Sequence, residues 1–263
     1  MANRRDVESV PTNSNRDTTG LSSGCESRTC WNQRYLSAVC LAAIVISGCG
    51  DPIYYSSEAI SARVVDADTR EPVAGVNVVA GWEVKGGLEG GNTMGWVTVM
   101  EAVTDASGTF AIPAWGPKRL HVRGAIGNAS PALFLFKSGY VYERLTDRSR
   151  RFDEHAPFAR DRNSPNPMRS YWNGKTIALK RFTENSEAYA ESLRFVDVDV
   201  AALLETEECN WKEIPHFLLA IDRQSRNFEA QRTRWQLPTL KYLSTAYSRP
   251  CGPFLQFVEE HGK

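Results

Sequence analysis

Cysteine, histidine and paired carboxylates are where a chain of this kind would do chemistry, and its 263 residues hold six cysteines and four histidines. The histidines stand at 121, 155, 216 and 261, and neither a Cys-x2-Cys nor a His-x3-His pair exists to build a four-ligand zinc site. The nucleophile elbow Gly-x-Ser-x-Gly, the phosphate loop Gly-x4-Gly-Lys-Ser/Thr and the dinucleotide fingerprint Gly-x-Gly-x-x-Gly are all missing. Two carboxylate pairs occur, Glu207-Glu208 and Glu259-Glu260, but adjacent residues point apart on a helix. The residues therefore offer no catalytic group, no cofactor-binding motif and no metal ligands, and the chain reads as non-enzymatic. With 31 basic against 31 acidic residues it also lacks the positive field of a nucleic-acid binder.

The cysteine that stands out is Cys49. Arg34 precedes an apolar run, Leu36 to Ile46, interrupted only by Ser37, and Ser47-Gly48-Cys49 follow directly. Such a run is too short for a membrane span, which needs roughly 20 apolar residues. A basic flank, a short apolar stretch and small residues at its end are the anatomy of a cleaved secretory signal. The segment Ile46-Ser47-Gly48-Cys49 resembles the lipobox of bacterial lipoproteins, in which the cysteine thiol receives a diacylglycerol and cleavage makes it the first residue. The resemblance implies lipidation at Cys49, a membrane partner reached through an N-terminal lipid, and a cell-envelope location facing the periplasm or the exterior. The other reading of Cys49 is a structural cysteine ending a buried strand or helix. Residues 1–33 are rich in Ser, Thr, Asn and Arg and read as an unstructured leader.

Processing at Cys49 discards Cys25, Cys30 and Cys40, leaving Cys209 and Cys251 as the remaining thiols. In an oxidising compartment two such cysteines read as a disulfide; buried free thiols are the alternative.

The body must then hold these groups. After a tether over 49–57, the hydrophobic period becomes two. Ile60, Ala62 and Val64 alternate with Ser61 and Arg63, and Val76, Val78 and Ala80 line one face of the next strand. Trp96–Val103 and Thr109–Pro113 follow, and Arg119–Arg123, Ala132–Lys137 and Thr176–Lys180 read as further strands. Short strands, close turns and no intervening helix predict an antiparallel β-sandwich over 58–182. Asp66, Asp68 and Asp105 fit turns whose side chains bond nearby backbone N–H groups better than they fit a calcium loop.

Three blocks carry a second resemblance: Val65-Asp66-Ala67-Asp68-Thr69-Arg70-Glu71-Pro72, Gly75-Val76-Asn77-Val78 and Thr104-Asp105-Ala106-Ser107-Gly108-Thr109-Phe110, with Lys137-Ser138-Gly139-Tyr140 after them. They resemble the carboxypeptidase regulatory-like domain, a transthyretin-like β-sandwich, with Arg70 where that family usually has Gly. The catalytic domain of metallocarboxypeptidases would need His-x-x-Glu. Three places after His121, His155 and His216 stand Gly124, Phe158 and Leu219 instead.

Glu143 to Trp172 reads as an arginine- and proline-rich insertion, a solvated loop in which Arg148–Arg151 are the candidate contact for an anionic partner. From 183 to 263 the period is helical, with one helix expected from Ser186 to Leu204, a second opened by Asn210 and Pro215, a third over Thr239–Tyr247 and a last one after Pro250. A Cys209–Cys251 bridge would join two helix starts. The expectation is a lipid-anchored, non-catalytic envelope protein: β plus α, a transthyretin-like sandwich followed by a small helical region, contacting an envelope protein or a glycan. A carbohydrate-binding lipoprotein is the alternative, with Trp82, Trp96 and Trp115 as its stacking platform.

Overall fold

A computed structural model describes residues 54–86, 92–120, 125–126, 130–146, 167–204, 209–247 and 251–263. Cys49, His121, His155, Arg148–Arg151 and Glu207-Glu208 lie outside the described residues. Among those described, ten strands precede five α-helices: β1 (Tyr54–Ser57), β2 (Ile60–Asp66), β3 (Asn77–Gly86), β4 (Asn92–Val103), β5 (Thr109–Ile112), β6 (Trp115–Arg119), β7 (Ala125–Ile126), β8 (Ala132–Phe136), β9 (Glu143–Leu145) and β10 (Thr176–Leu179), then α1 (Ser186–Ser192), α2 (Val196–Leu204), α3 (Pro215–Gln231), α4 (Leu240–Tyr247) and α5 (Phe254–His261). The architecture is β plus α, with the helices at the C-terminal end of the sequence.

The strands form three sheets, ordered β1-β6, β10-β2-β5 and β4-β3-β8-β9, with β7 also on β3. Two corrections follow. Strand β10 runs parallel to β2, from Thr176↔Arg63 to Leu179↔Asp66, so the pairing is not wholly antiparallel. A parallel neighbour needs a crossover of a dozen or more residues, and here the chain from Asp66 to Thr176, which carries β3 to β9, makes that connection. Residues 54–57 are a strand on β6 rather than tether, and Arg119 ends β6 instead of opening a strand.

Alternation along β2 and β3 builds the first core. Ile60, Ala62 and Val64 from β2, Phe110 and Ile112 from β5, Leu179 from β10 and Val78, Ala80, Trp82 and Val84 from β3 make one buried cluster. Burying a ring such as Phe110, 2% exposed, contributes about 2–3 kcal/mol. The turns follow the expected chemistry. The Asp105 carboxylate accepts from Ser107 N–H and Thr109 N–H at 2.9 Å each. Gly108 has φ +75°, and a Cβ there would lie 2.4 Å from the Val64 carbonyl. Arg70, which stands where the resembled family has Gly, has φ 63°, the left-handed region that glycine enters at least cost.

The second core lies on the other face of the same middle sheet. Val79, Trp96, Val99, Phe134 and Phe136 point away from the first cluster and are covered by Leu193, Val200, Leu203, Phe217, Ile221 and other helical residues. The run Ala132–Phe136 is buried at every position, as a strand covered on both faces should be. Gly81 leaves room for this packing: a Cβ there would meet the Trp96 ring at 2.6 Å. That indole donates its N–H to the Ala202 carbonyl of α2 at 2.7 Å.

The expected helix from Ser186 to Leu204 is two helices. It breaks at Leu193–Phe195, where Val196 N–H turns back to the Leu193 carbonyl at 2.9 Å. The break separates two docking tasks. Tyr189 of α1 meets Phe228 edge to face at 5.7 Å, while α2 lays Val200 and Leu203 into the core. Asn210 opens a short 3₁₀ turn, Asn210–Glu213, and α3 begins at Pro215.

Candidate functional site

The polar groups that tie helices to sheets are the places where chemistry could be housed. Three carboxylates lead them. Asp66, at the end of β2, is 1% exposed. One oxygen accepts the N–H groups of Asp68 (3.0 Å) and Thr69 (3.1 Å). The other accepts from Arg181 Nε at 2.7 Å and the Tyr140 hydroxyl at 3.2 Å. The Thr69 N–H and the Arg181 guanidinium hold its carboxyl down to about 2.

Asp199, on α2, is 5% exposed and accepts from the Tyr142 hydroxyl (2.9 Å) and Arg144 (2.8 Å). Arg144 also donates to Glu83 at 3.0 Å and stacks over the Phe134 ring at 5.3 Å. Lys85 completes the chain of charges with an ion pair to Glu83 at 2.5 Å. Burial outweighs these partners and moves the Asp199 carboxyl up, and it moves the Tyr142 hydroxyl well up.

Glu101, near the end of β4, grips the first turn of α3. Its Oε1 accepts His216 N–H at 2.9 Å and lies 2.7 Å from His216 Nδ1, while Oε2 accepts Phe217 N–H at 2.9 Å. A helix start has donors without partners inside the helix. Here a strand supplies the anion, a role the sequence assigned to Asn210.

Each oxygen of these carboxylates accepts at least one hydrogen bond from a neighbouring donor, so the arrangement ties elements together. Among the described residues no group of three His, Cys, Asp or Glu is placed to hold a metal ion. Asp66 and Asp105 belong to separate turns, each serving its own backbone. Cys209 and Cys251 are brought together as a disulfide with Cα atoms 5.7 Å apart. It joins the 3₁₀ turn to the residues leading into α5, where Trp211 packs on Phe254 (4.9 Å) and Phe257 (5.3 Å).

The tryptophans offered as a sugar platform are interior residues. Trp82, Trp96 and Trp115 are 1%, 4% and 6% exposed, and Trp82 and Trp115 pack edge to face at 5.2 Å. Glu101, Tyr142, Arg144 and Asp199 were not legible as partners, because contacts across 55 to 116 positions leave no local spacing. No protein-family model and no curated protein matches this chain.

Acid titration separates the two aspartates. Asp66 has a folded value below the ordinary 3.8. Its contribution is complete above that value and is lost as pH falls from about 4 towards 2. Asp199, raised by burial, has the opposite sign: its contribution is present at low pH and is lost as pH rises through its folded value. Thermal melts of Asp66→Asn across this range should show a shallower acid limb than the parent. Asp199→Asn should leave that limb as steep or steeper, and parallel limbs for the parent and Asp66→Asn would contradict the assignment.

Proposed function

We propose that this chain is a lipid-anchored, non-catalytic protein of the bacterial cell envelope, held at Cys49 and facing the periplasm or the exterior. Its two-sheet core is a transthyretin-like sandwich of the carboxypeptidase regulatory-like kind, serving as a structural or protein-interaction module. The observation that carries the reading is the order Arg34, the apolar run Leu36–Ile46, then Ser47-Gly48-Cys49. Two features support it. The paired Cys209 and Cys251 suit an oxidising compartment, and the buried carboxylates are spent on tying elements together. The turn roles of Asp105 and Gly108 and the left-handed angle at Arg70 support the sandwich assignment. The glycan-binding alternative loses the platform that motivated it.

Fatty-acid labelling and intact mass of the membrane-extracted protein test the anchor. The expected result is a chain beginning at an acylated Cys49, and Cys49→Ala should move the protein from the membrane fraction to the soluble one. A retained Met1 with an unmodified Cys49, or unchanged partitioning of the variant, would overturn the proposal.

A further inference from the structure

We infer that the β1–β6 ribbon is the face this protein lays on an anionic lipid surface, an inference that rests on the acylation of Cys49 proposed above. Only residues 50–53 separate Cys49 from β1. Five peptide steps reach at most about 18 Å even when fully extended. A body of this length has a radius of gyration of about 17 Å. Even fully extended, the tether only about equals the body's radius of gyration, and whatever surrounds Tyr54 stays beside the bilayer.

The side chains at that end suit a head-group layer. Tyr54 is 56% exposed and pairs across the ribbon with Arg119, so an aromatic ring and a guanidinium share one face. Tyrosine concentrates at membrane–water interfaces, and a guanidinium matches phosphate with paired donors. Arg119 is exposed and has no acidic partner among the described residues. Lys118, paired with Tyr55, points to the ribbon's other face, where its Nζ donates to Thr98 at 2.8 Å, so Arg119 is the cation this face presents. The acid nearest in sequence to the strand, Glu58, is already paired with Arg169 at 3.1 Å. Tyr242, Phe195 and Val198, at 65%, 60% and 59%, are exposed as much or more, but they belong to the helical segment after 183, whereas Tyr54 stands on the strand that the tether enters.

The test uses full chains extracted from membranes, with Ala59→Cys, exposed just after β1, or Lys241→Cys carrying a fluorophore on the added thiol, so that Tyr54 and Arg119 stay intact. Lys241 lies on α4, among the helices that cover the opposite face of the middle sheet. Each is reconstituted into vesicles of phosphatidylcholine with about 30% phosphatidylglycerol and a head-group spin-label quencher. Quenching should be about twofold or more stronger at 59 than at 241, and the difference should shrink in purely zwitterionic vesicles. An acylated Cys49 with equal quenching at both positions overturns the ribbon while leaving the anchor intact. A mass spectrum without acyl chains removes both. A 59 signal indifferent to lipid charge overturns the anionic preference.

Discussion

Reduction of the Cys209–Cys251 bridge should lower unfolding stability by about 4 kcal/mol, the loop-closure value for a span of 42 residues. The folded state itself should persist. Trp211 remains packed between Phe254 and Phe257, and Phe254 and Val258 are fully buried, so the contacts that bring the two segments together do not depend on the sulfur atoms. The loss therefore falls mainly on the unfolded chain, which regains the freedom to separate the two segments. Urea titration with and without a phosphine reductant should move the midpoint while leaving the native near-ultraviolet spectrum in place. The double variant Cys209→Ser/Cys251→Ser should coincide with the reduced parent. A drop below about 1 kcal/mol would mean that the bridge restrains little, and a collapsed native spectrum would place its effect in the folded state instead.

Glu101→Ala should cost about 3–6 kcal/mol, two bonds to a charged acceptor. Two backbone N–H groups at the start of α3, those of His216 and Phe217, each give a 2.9 Å bond to this carboxylate. Bonds to a charged acceptor contribute about 1.5–3 kcal/mol each, and a helix start left without an acceptor adds a desolvation cost. The carboxylate also meets the positive end of the helix dipole. Glu101→Gln retains one oxygen and should cost about half as much. Comparing urea midpoints of the parent, Gln and Ala forms checks the order. Equal stability of all three would show that water replaces the side chain at no cost.

How much of this was legible beforehand follows from the range of the interactions. The strands β2 and β5 and the Asp105–Gly108 turn were legible because each is a local pattern of alternation or turn residues, whereas the helix expected to be capped by Asn210 starts at Pro215, after a 3₁₀ turn. The disulfide was legible by elimination once three cysteines were assigned to a discarded leader. The parallel placement of β10 was not, since nothing in Thr176–Leu179 tells which neighbour it will choose. Nor was the role of Glu101 or Asp199, whose partners are remote in sequence. The five-residue apolar run Ala132–Phe136 did carry a signal that went unused. A strand without polar alternation has no face for water, and here that meant a helical layer on its second side. The break at Leu193–Phe195 was not legible either, since the β-branched Val196, Val198 and Val200, where helix propensity is weakest, lie inside α2.

That double-sided middle sheet has a consequence for how the chain can be inherited and engineered. The residues after 183 are no detachable rider on an independent β-module, because excising them would strip the cover from Val79, Val99, Phe134 and Phe136 at once. Such a fragment would present a greasy wall and clump, whereas authentic stand-alone sandwiches show water a polar outer sheet. Recombination could thus swap this body only whole, and a fusion partner belongs at its ends rather than at the seam between strands and helices.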